Sequence, residues 1–324
     1  RVLKVVRAQA DGGRSVIYVS HRFNEIAAIC DRATVLRDGT TVGDVKIEPG
    51  IEERIVEMML GGAVTVAATE ARASHATATT TPRLRVRSLK TGTRLTDVSF
   101  DLHKGEILGV VALEGQGQDE LFDVLSGNRK ASAGTVEVDG TRKSFSHPAD
   151  AIAAGLTLVP GDRAHALLMS RSVRENIAVP LLARVRTWGA IRMGEEATKV
   201  NAAIETLQID TRAQGEVRRL SGGNQQKVTI ARWIAKGVQT LLLFDPTRGI
   251  DIRTKRQIYG LVRDLADQGA AVLFYTSELA EIRLACDRAV VIFNGRVVDV
   301  IDARDADEAT LMRAAYGLTE KAPA

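Results

Sequence analysis

The sequence is poor in cysteine, with only Cys30 and Cys286 among its 324 residues. Two cysteines so far apart exclude a disulfide framework and a cysteine-rich zinc cluster. Apolar runs are short as well. No stretch approaches the roughly 20 residues of a membrane-spanning helix, so we expect none. The charge is nearly balanced, because 44 basic and 40 acidic residues give a formal net charge of +4. So small and scattered an excess does not indicate nucleic acid binding.

The remaining composition is that of a globular protein, with 45% hydrophobic and 26% charged residues. These fractions exclude a disordered or collagen-like chain. The length allows about two domains of roughly 150 residues each. The first residue is Arg1 and Val2–Arg7 is typical of the end of a helix. We therefore expect the chain to begin within a larger protein.

Residues 61–82 interrupt the apolar patterning, because they are mostly Ala and Thr. Such a segment lacks the apolar surface needed to fold and is typical of a linker. We therefore divide the chain into the end of a first domain (1–60), a linker (61–82), a second domain (83–320) and a short tail (321–324). In the first part we predict strands at Val16–Val19 and Ala33–Leu36 and a helix at Phe23–Cys30.

An internal repeat links the two ends of the chain. Residues 13–39 align without a gap to residues 269–295, and 10 of the 27 positions are identical. The identities include Glu25 with Glu281 and Cys30 with Cys286. The cysteines therefore occupy equivalent positions and are best explained as small buried residues, one in each copy. The repeat indicates the end of one domain followed by a complete second copy.

The second copy alternates strands and helices, which predicts an α/β fold with a mainly parallel sheet. We predict strands at Ile107–Leu113, Thr240–Phe244 and Ala271–Thr276. The first leads into a glycine-rich turn and a helix from about Asp119. Thr240–Phe244 is almost continuously apolar, as expected of a strand that is buried on both faces.

The most specific pattern is LSGGNQQK at Leu220–Lys227, followed by a helical stretch to Lys236. Ser221 can cap the helix, and Gly222 and Gly223 let backbone N–H groups approach a ligand closely. A helix N-terminus of this kind suits an anion such as a terminal phosphate. An ordinary Ser-Gly-Gly turn that caps a surface helix is the alternative.

Two further motifs support a resemblance to a known family. PTRGID at Pro246–Asp251 follows the signature in register, and His21 follows a predicted strand end at Val19-Ser20. With LSGGNQQK, they resemble the ABC ATPases, and more narrowly the two-cassette ATP-binding subunits of monosaccharide importers. The resemblance implies a P-loop NTPase-like cassette with a mainly parallel central sheet, an antiparallel β subdomain and a helical signature subdomain. We place the helical subdomain at Val173–Leu207.

The resemblance also implies a function and partners. ATP and Mg²⁺ would be the cofactors, and hydrolysis would drive sugar uptake through transmembrane permease subunits served by a periplasmic or extracellular sugar-binding protein. The protein would lie peripherally at the cytoplasmic face of the plasma membrane and would bind no nucleic acid. In this family, two cassettes pair head to tail around each nucleotide. Residues Ser221, Gly222, Gly223, Gln225 and Asp251 would contribute to nucleotide binding.

The phosphate loop of this cassette departs from the family pattern G-x-x-x-x-G-K-[ST]. Gly115 and Gly117 are present, but Gln118 occupies the lysine position and Asp119 the hydroxyl position. Together with Glu114, these changes remove a cation and add carboxylates, which disfavours a triphosphate. The alternatives are a weak nucleotide site, helped by a bound Mg²⁺, and a strand–turn–helix corner that binds nothing.

The strand end at Asp245 allows two registers. After four apolar residues, Asp245 could be the Mg²⁺-binding carboxylate. Aligned on Pro246-Thr247, it falls at the catalytic glutamate position and Phe244 replaces the Mg²⁺ ligand. A one-residue slip reverses the face of a strand side chain, so both cannot hold. We favour the second register, in which Asp245 is a shortened base.

The repeat places Ser277 opposite His21, the residue that would sense the γ-phosphate in the first copy. No aromatic residue lies between Leu84 and Ser99 to stack on adenine. This cassette should therefore not hydrolyse ATP alone, and the fragment should be inactive. Its signature and His21 would face the same ATP in the assembly. The alternatives are a soluble ABC protein that acts on ribosomes or DNA, and a non-catalytic scaffold.

Overall fold

We analysed a computed structural model, which describes residues 2–19, 23–37, 40–48, 51, 54–55, 58, 81–181, 193–210, 215–237 and 239–318. The chain divides into two compact units. One comprises Arg1–Thr69 with Asp251–Thr254, and the other comprises Glu70–Ile250 with Lys255–Ala324. Most of the predicted linker and all of the tail lie outside the described residues, so those boundaries stay predictions. No helix in the described ranges is long and apolar enough to cross a membrane.

The first unit contains two helices and a β-hairpin: α1 (Val2–Asp11), α2 (Phe23–Ile29), β1 (Arg32–Arg37) and β2 (Thr40–Lys46). The strands pair antiparallel, with Arg32 opposite Lys46. Val35, Val45 and Ile55 form a small buried cluster. The predicted initial helix, the helix at Phe23–Cys30 and the strand at Ala33–Leu36 are confirmed.

The strand predicted at Val16–Val19 is wrong. These residues are not in a strand, and the exposed fractions of Ile17 and Val19 are 94% and 91%. Their counterparts in the repeat, near Val272, form a fully buried strand that is paired on both sides. A strand needs a neighbouring strand to satisfy its backbone, and the described part of the first unit offers Val16–Val19 none.

The second unit is built around a mixed sheet of ten strands, in the spatial order β7-β6-β3-β4-β12-β11-β5-β10-β9-β8. The strands are β3 (Leu84–Thr91), β4 (Leu95–Leu102), β5 (Ile107–Ala112), β6 (Ala133–Val138), β7 (Thr141–Lys143), β8 (Leu156–Val159), β9 (Thr240–Phe244), β10 (Ala271–Tyr275), β11 (Arg288–Phe293) and β12 (Arg296–Asp302). Strands β11, β5, β10, β9 and β8 are mutually parallel. The antiparallel strands β7, β6, β3 and β4 form the other half, and β12 joins the two halves, parallel to β4 and antiparallel to β11.

Helices cover this sheet and connect its strands. They are α3 (Gln118–Ser126), α4 (Pro148–Ala153), α5 (Arg163–Ala166), α6 (Val173–Ala178), α7 (Met193–Thr206), α8 (Gly222–Lys236), α9 (Ile252–Asp267, of which the residues from Lys255 onward belong to this unit), α10 (Ala280–Ala285) and α11 (Glu308–Ala315). The predicted α/β architecture, with a parallel half, an antiparallel half and helices across 173–207, is confirmed.

The burial of β5 and β10 agrees with their positions inside the parallel half of the sheet. Every residue of β5 and β10 is buried, as continuous apolar runs in a parallel sheet require. Two hydrophobic clusters enclose the sheet. One includes Phe274 and residues of α6, α7 and α8, and the other includes Phe122 of α3.

The repeat is also visible in the structure. Strands β11 and β12 pair antiparallel with Arg288 opposite Asp302, the same spacing as in β1 and β2. The register shifts after Val35 in the first hairpin and after Val291 in the second, which are equivalent positions. Cys286 is buried and Cys30 is half-buried, and both are free thiols.

Candidate nucleotide site

The parallel half of the sheet gathers the predicted site residues at one edge. Strands β8, β9, β10 and β5 are adjacent and parallel, so their carboxyl ends meet there. The phosphate-loop segment follows β5, Asp245 follows β9, and Ser277 follows β10. Open α/β sheets bind their ligands at such an edge. The sheet order therefore brings together residues that lie more than 100 positions apart in the chain.

The loop between β5 and α3 has the backbone of a phosphate-binding turn. Gly115 and Gly117 have φ angles of +80° and +104°, which L side chains rarely adopt. A Cβ at Gly117 would lie 2.7 Å from the Arg94 carbonyl oxygen. The glycines that the sequence retains are thus explained by the turn itself, with or without a ligand.

The side chain of Gln118, at the lysine position of the phosphate-loop pattern, is buried. It is 2% exposed, and its Oε1 accepts a hydrogen bond of 3.0 Å from the backbone N–H of Gln116. The Gln116 N–H also donates to the carbonyl of Leu113 at 3.2 Å. One N–H group of the loop is therefore satisfied by the protein's own acceptors rather than presented to a phosphate.

Aromatic rings fill the space below the loop. Phe244 packs against Phe122 of α3, with ring centroids 5.1 Å apart, and against Tyr275, at 4.6 Å. Burial and the nearby Asp245 carboxylate raise the pKa of Tyr275 to about 12, so its hydroxyl stays neutral. At the position that a Mg²⁺ ligand would occupy in the favoured register, the protein thus has an apolar ring.

The Asp245 carboxylate accepts hydrogen bonds from Ser277. Ser277 donates to Asp245 Oδ1 through its backbone N–H at 3.2 Å and through its hydroxyl at 3.1 Å. Asp245 is 7% exposed and has a φ of +50°, an uncommon conformation for a residue with a side chain. The two residues predicted at the base and histidine positions therefore form a closed pair.

The loop carboxylates face solvent, since both Glu114 and Asp119 are exposed. Partial burial and the neighbouring Glu120 carboxylate raise the pKa of Asp119. This local excess of negative charge disfavours a triphosphate. In the described part of the chain, no three His, Cys, Asp or Glu side chains converge as metal ligands would. Asp119 occupies the hydroxyl position of the phosphate-loop pattern, and Mg²⁺ binding at this loop stays a prediction.

The predicted signature is the N-terminus of α8. Ser221 is its N-cap, and the serine Oγ accepts from the backbone N–H of Asn224 at 3.4 Å. The first N–H groups of a helix have no intrahelical acceptor. No side chain of the described residues caps those of Gly222 and Gly223. Two glycine N–H groups without a side-chain cap thus lie at the positive end of a 15-residue helix, on half-buried Gly222 and buried Gly223, and such a helix end attracts anions.

Gln225 makes hydrogen bonds within the chain. Its Nε2 donates to the carbonyls of Val217 at 3.3 Å and Leu220 at 3.1 Å. The side chain thus folds back on the segment that precedes the helix and fixes its entry. Direct nucleotide binding by Gln225 stays a prediction.

Arg163 and the turn after β9 lie beside this helix end. Arg163 Nη1 donates to the Arg248 carbonyl at 2.9 Å. A Cβ built on Gly222 would lie 3.4 Å from Arg163 Nη2 and 3.8 Å from the Gly249 carbonyl oxygen. A guanidinium at the positive end of a helix is electrostatically unfavourable until an anion binds between them. The contact of Arg163 with this helix end was not predicted from the sequence.

Asp251 and His21 were also predicted to take part in the site. Asp251 accepts from the backbone N–H of Thr254 at 2.9 Å and from its hydroxyl at 2.8 Å, as an N-cap does. Its role toward a nucleotide stays a prediction. His21 lies outside the described residues, so its predicted role stays a prediction as well.

The comparisons with known proteins agree with this geometry. Residues 95–248 match the ABC transporter family model. These residues therefore form a domain of the ABC transporter family. Two solved structures have the same fold: a nucleotide-free ATP-binding cassette from an ABC transporter, at a TM-score of 0.61, and cbiO1 from Clostridium perfringens, part of an ABC transporter complex, at 0.62. Both are 20% identical to the chain in sequence. The alignment with the first covers 72% of the chain and 94% of the solved structure, and the alignment with the second covers 73% and 93%.

The chain is also similar to curated ribose import ATP-binding proteins. The one from Chromobacterium violaceum is 37% identical over 98% of the chain, and the one from Bacillus subtilis is 36% identical over 98%. The chain spans 63% and 64% of the lengths of these relatives.

Several residues of the site escaped the sequence analysis. Phe122 and Tyr275 appear in the sequence as ordinary core residues, and no local pattern shows that they meet. Glu281 was noticed only as a repeat identity with Glu25. In the structure, it is a buried carboxylate that binds the loops after β9 and β10. The repeat identity was the signal that could have identified it.

Proposed function

We propose that this chain is part of the ATP-binding subunit of an importer for ribose or a related monosaccharide. In this function, ATP hydrolysis drives uptake through transmembrane permease subunits, with a sugar-binding protein outside the membrane. The subunit would lie peripherally at the cytoplasmic face of the plasma membrane. The similarity to ribose import proteins over 98% of the chain supports the substrate class.

The observation that carries the proposal is the contrast between the two ends of the cassette. The signature helix offers the amides of Gly222 and Gly223, whereas the phosphate loop is closed by Gln118 and by rings at the metal position. We therefore propose that this cassette supplies the signature to a composite ATP site whose phosphate loop belongs to another cassette. Its own loop is degenerate, and the chain alone would not hydrolyse ATP.

In the proposed reaction, this chain's groups bind and orient the terminal phosphate. The helix-end amides and Arg163 stabilise its negative charge. ATP with Mg²⁺ would supply the hydrolysable phosphate bond. Asp245, the residue predicted as the base, is hydrogen-bonded to Ser277 at the strand edge.

Uptake of labelled sugar tests the proposal. The complete ATP-binding protein is reconstituted with its permease subunits in vesicles, and uptake of ribose, xylose and galactose is followed with ATP or with a non-hydrolysable analogue. We expect ATP-dependent accumulation of at least one sugar and co-purification with the permease. Strictly soluble fractionation and no uptake would refute the importer function.

A further inference from the structure

A carboxylate inside the second unit binds groups from three separate segments. Glu281 is 3% exposed, and its Oε2 accepts hydrogen bonds from the Thr247 hydroxyl at 2.6 Å and the Thr276 hydroxyl at 2.7 Å. Its Oε1 accepts from Lys255 Nζ at 2.8 Å. The hydroxyl of Tyr259 interacts with the same carboxylate. Both oxygens of this buried acid are therefore satisfied by protein groups.

The charge of Glu281 is balanced by a lysine that is itself buried. Lys255 is 7% exposed and also donates to Glu278 at 2.6 Å. Burial lowers the pKa of Lys255, but the hydrogen bonds to the two carboxylates outweigh it and raise the pKa above its ordinary value. A buried ion pair of this kind adds little net stability, because desolvation offsets the attraction. Its remaining contribution is to fix geometry.

The positions of Thr247 and Thr276 show which part of the structure the Glu281 carboxylate holds in place. Thr247 lies two residues after Asp245, in the loop that follows β9. Thr276 immediately precedes Ser277, in the loop that follows β10. A single carboxylate therefore joins two loops that meet at the carboxyl edge of the sheet. The Asp245–Ser277 pair makes a second connection between the same loops.

From Thr247 the connection continues to the signature helix. The next residue, Arg248, offers its carbonyl to Arg163 Nη1 at 2.9 Å. The carbonyl of Gly249 is 3.8 Å from the Cβ position of Gly222. The turn at 247–249 therefore lies against the first helical turn whose amides are available to an anion.

We infer that Glu281 is a positioning residue that, through Thr247, holds the 247–249 turn and Arg163 in place against the first turn of the signature helix. The inference rests on the proposed function, because the helix end matters for turnover only if it binds nucleotide. In this account, the cassette with the degenerate loop contributes to the composite site. The hydrogen-bonded loops at its strand edge hold the signature helix in position.

Two test variants and one control separate a positioning role of Glu281 from an effect of its charge. Glu281→Gln keeps the side-chain shape but replaces one carboxylate oxygen by an amide, so the hydroxyls and the lysine can no longer all be accepted. Glu278→Gln is the matched control, because it removes the other carboxylate beside Lys255, on a side chain 54% exposed, and leaves Thr247 and Thr276 untouched. Thr247→Val deletes only the link to the turn.

The first readout is hydrogen exchange in the complete protein. The N–H groups of Arg248 and Ile250 donate to Asp245 and Thr247 within the turn. We expect their exchange to accelerate at least about tenfold in Glu281→Gln and Thr247→Val and less than about twofold in Glu278→Gln. Unchanged exchange in both test variants would overturn the inference, whatever their activity.

The second readout is steady-state ATP turnover by the reconstituted assembly. We expect Glu281→Gln and Thr247→Val to lower kcat about tenfold with KM within about threefold, because a misplaced signature affects the transition state rather than the initial binding of ATP. Equal loss in Glu278→Gln, or accelerated exchange with unchanged kcat, would overturn the positioning role. No turnover by the unmodified assembly would instead refute the proposed function, and the exchange data would still decide whether Glu281 holds the turn.

Discussion

The role of Gln118 gives a prediction whose size can be worked out from its contacts. Gln118→Ala removes the acceptor of the Gln116 N–H, worth about 1 kcal/mol, and one buried methylene, worth about 0.8 kcal/mol. The Gln116 N–H keeps its 3.2 Å bond to Leu113, so the penalty for an unsatisfied donor stays small. We expect the free energy of unfolding to fall by about 2 kcal/mol.

Activity should respond differently from stability. Because Gln118 carries no charge and is bonded to the protein, Gln118→Ala should change ATP turnover of the complete assembly by less than about tenfold, or ~1.4 kcal/mol of barrier. Stability is measured by urea unfolding, with exposed Gln268→Ala as the control that should stay within about 0.5 kcal/mol. A stable variant with strongly reduced turnover would show that Gln118 contacts nucleotide and that the loop is used.

Two further predictions concern the same edge of the sheet. Gly115→Ala should lower the free energy of unfolding by about 1–2 kcal/mol, and Gly117→Ala should lower it by at least about twice as much. Both substitutions place a side chain on a residue with positive φ, but only Gly117→Ala brings a Cβ against the Arg94 carbonyl. Similar losses in urea unfolding would contradict this. The raised pKa of Tyr275 favours its protonated form in the folded state, so its contribution is present below pH ~10 and is lost as the pH rises through about 12. Tyr275→Phe should therefore reduce the slope with which the free energy of unfolding falls above pH ~10, by up to about 1.4 kcal/mol per pH unit. An unchanged slope would disprove the raised pKa of Tyr275.

Local chemistry made much of the fold predictable. The signature helix begins after Ser221 and ends at Lys236, as the cap and the glycines predicted. The strands at Thr240–Phe244 and near Ala271 followed from continuous apolar runs that only a doubly covered parallel strand tolerates. In these segments, the sequence spacing and the tertiary environment favour the same structure.

The strand predicted at Val16–Val19 shows the limit of this reasoning. Its β-branched and aromatic residues have the correct propensity, and its repeat counterpart is a central strand. Strand formation depends on neighbours, however, and the described residues of its unit supply none. Propensity alone does not compensate for unpaired backbone groups.

The closed pairs at the strand edge were not predictable from the sequence. Asp245 and Ser277 appear in the sequence separately, at the positions of a base and of a histidine, and their hydrogen bond depends on β9 and β10 being neighbours. Likewise, Glu281 meets Thr247 only because the sheet order brings the two loops together. Such contacts between distant residues follow from topology, which motif spacing does not encode.

The central claim is that the N-terminus of the signature helix binds nucleotide, and ATP turnover by the complete assembly tests it most directly. Ser221→Arg places a bulky side chain over the amides of Gly222 and Gly223. Ser172→Arg is the matched control, because Ser172 caps α6 in the same way, accepting from the Glu175 N–H at 3.2 Å. We predict that turnover is abolished in Ser221→Arg and retained in Ser172→Arg. Full turnover in Ser221→Arg would contradict the account and require a different active site.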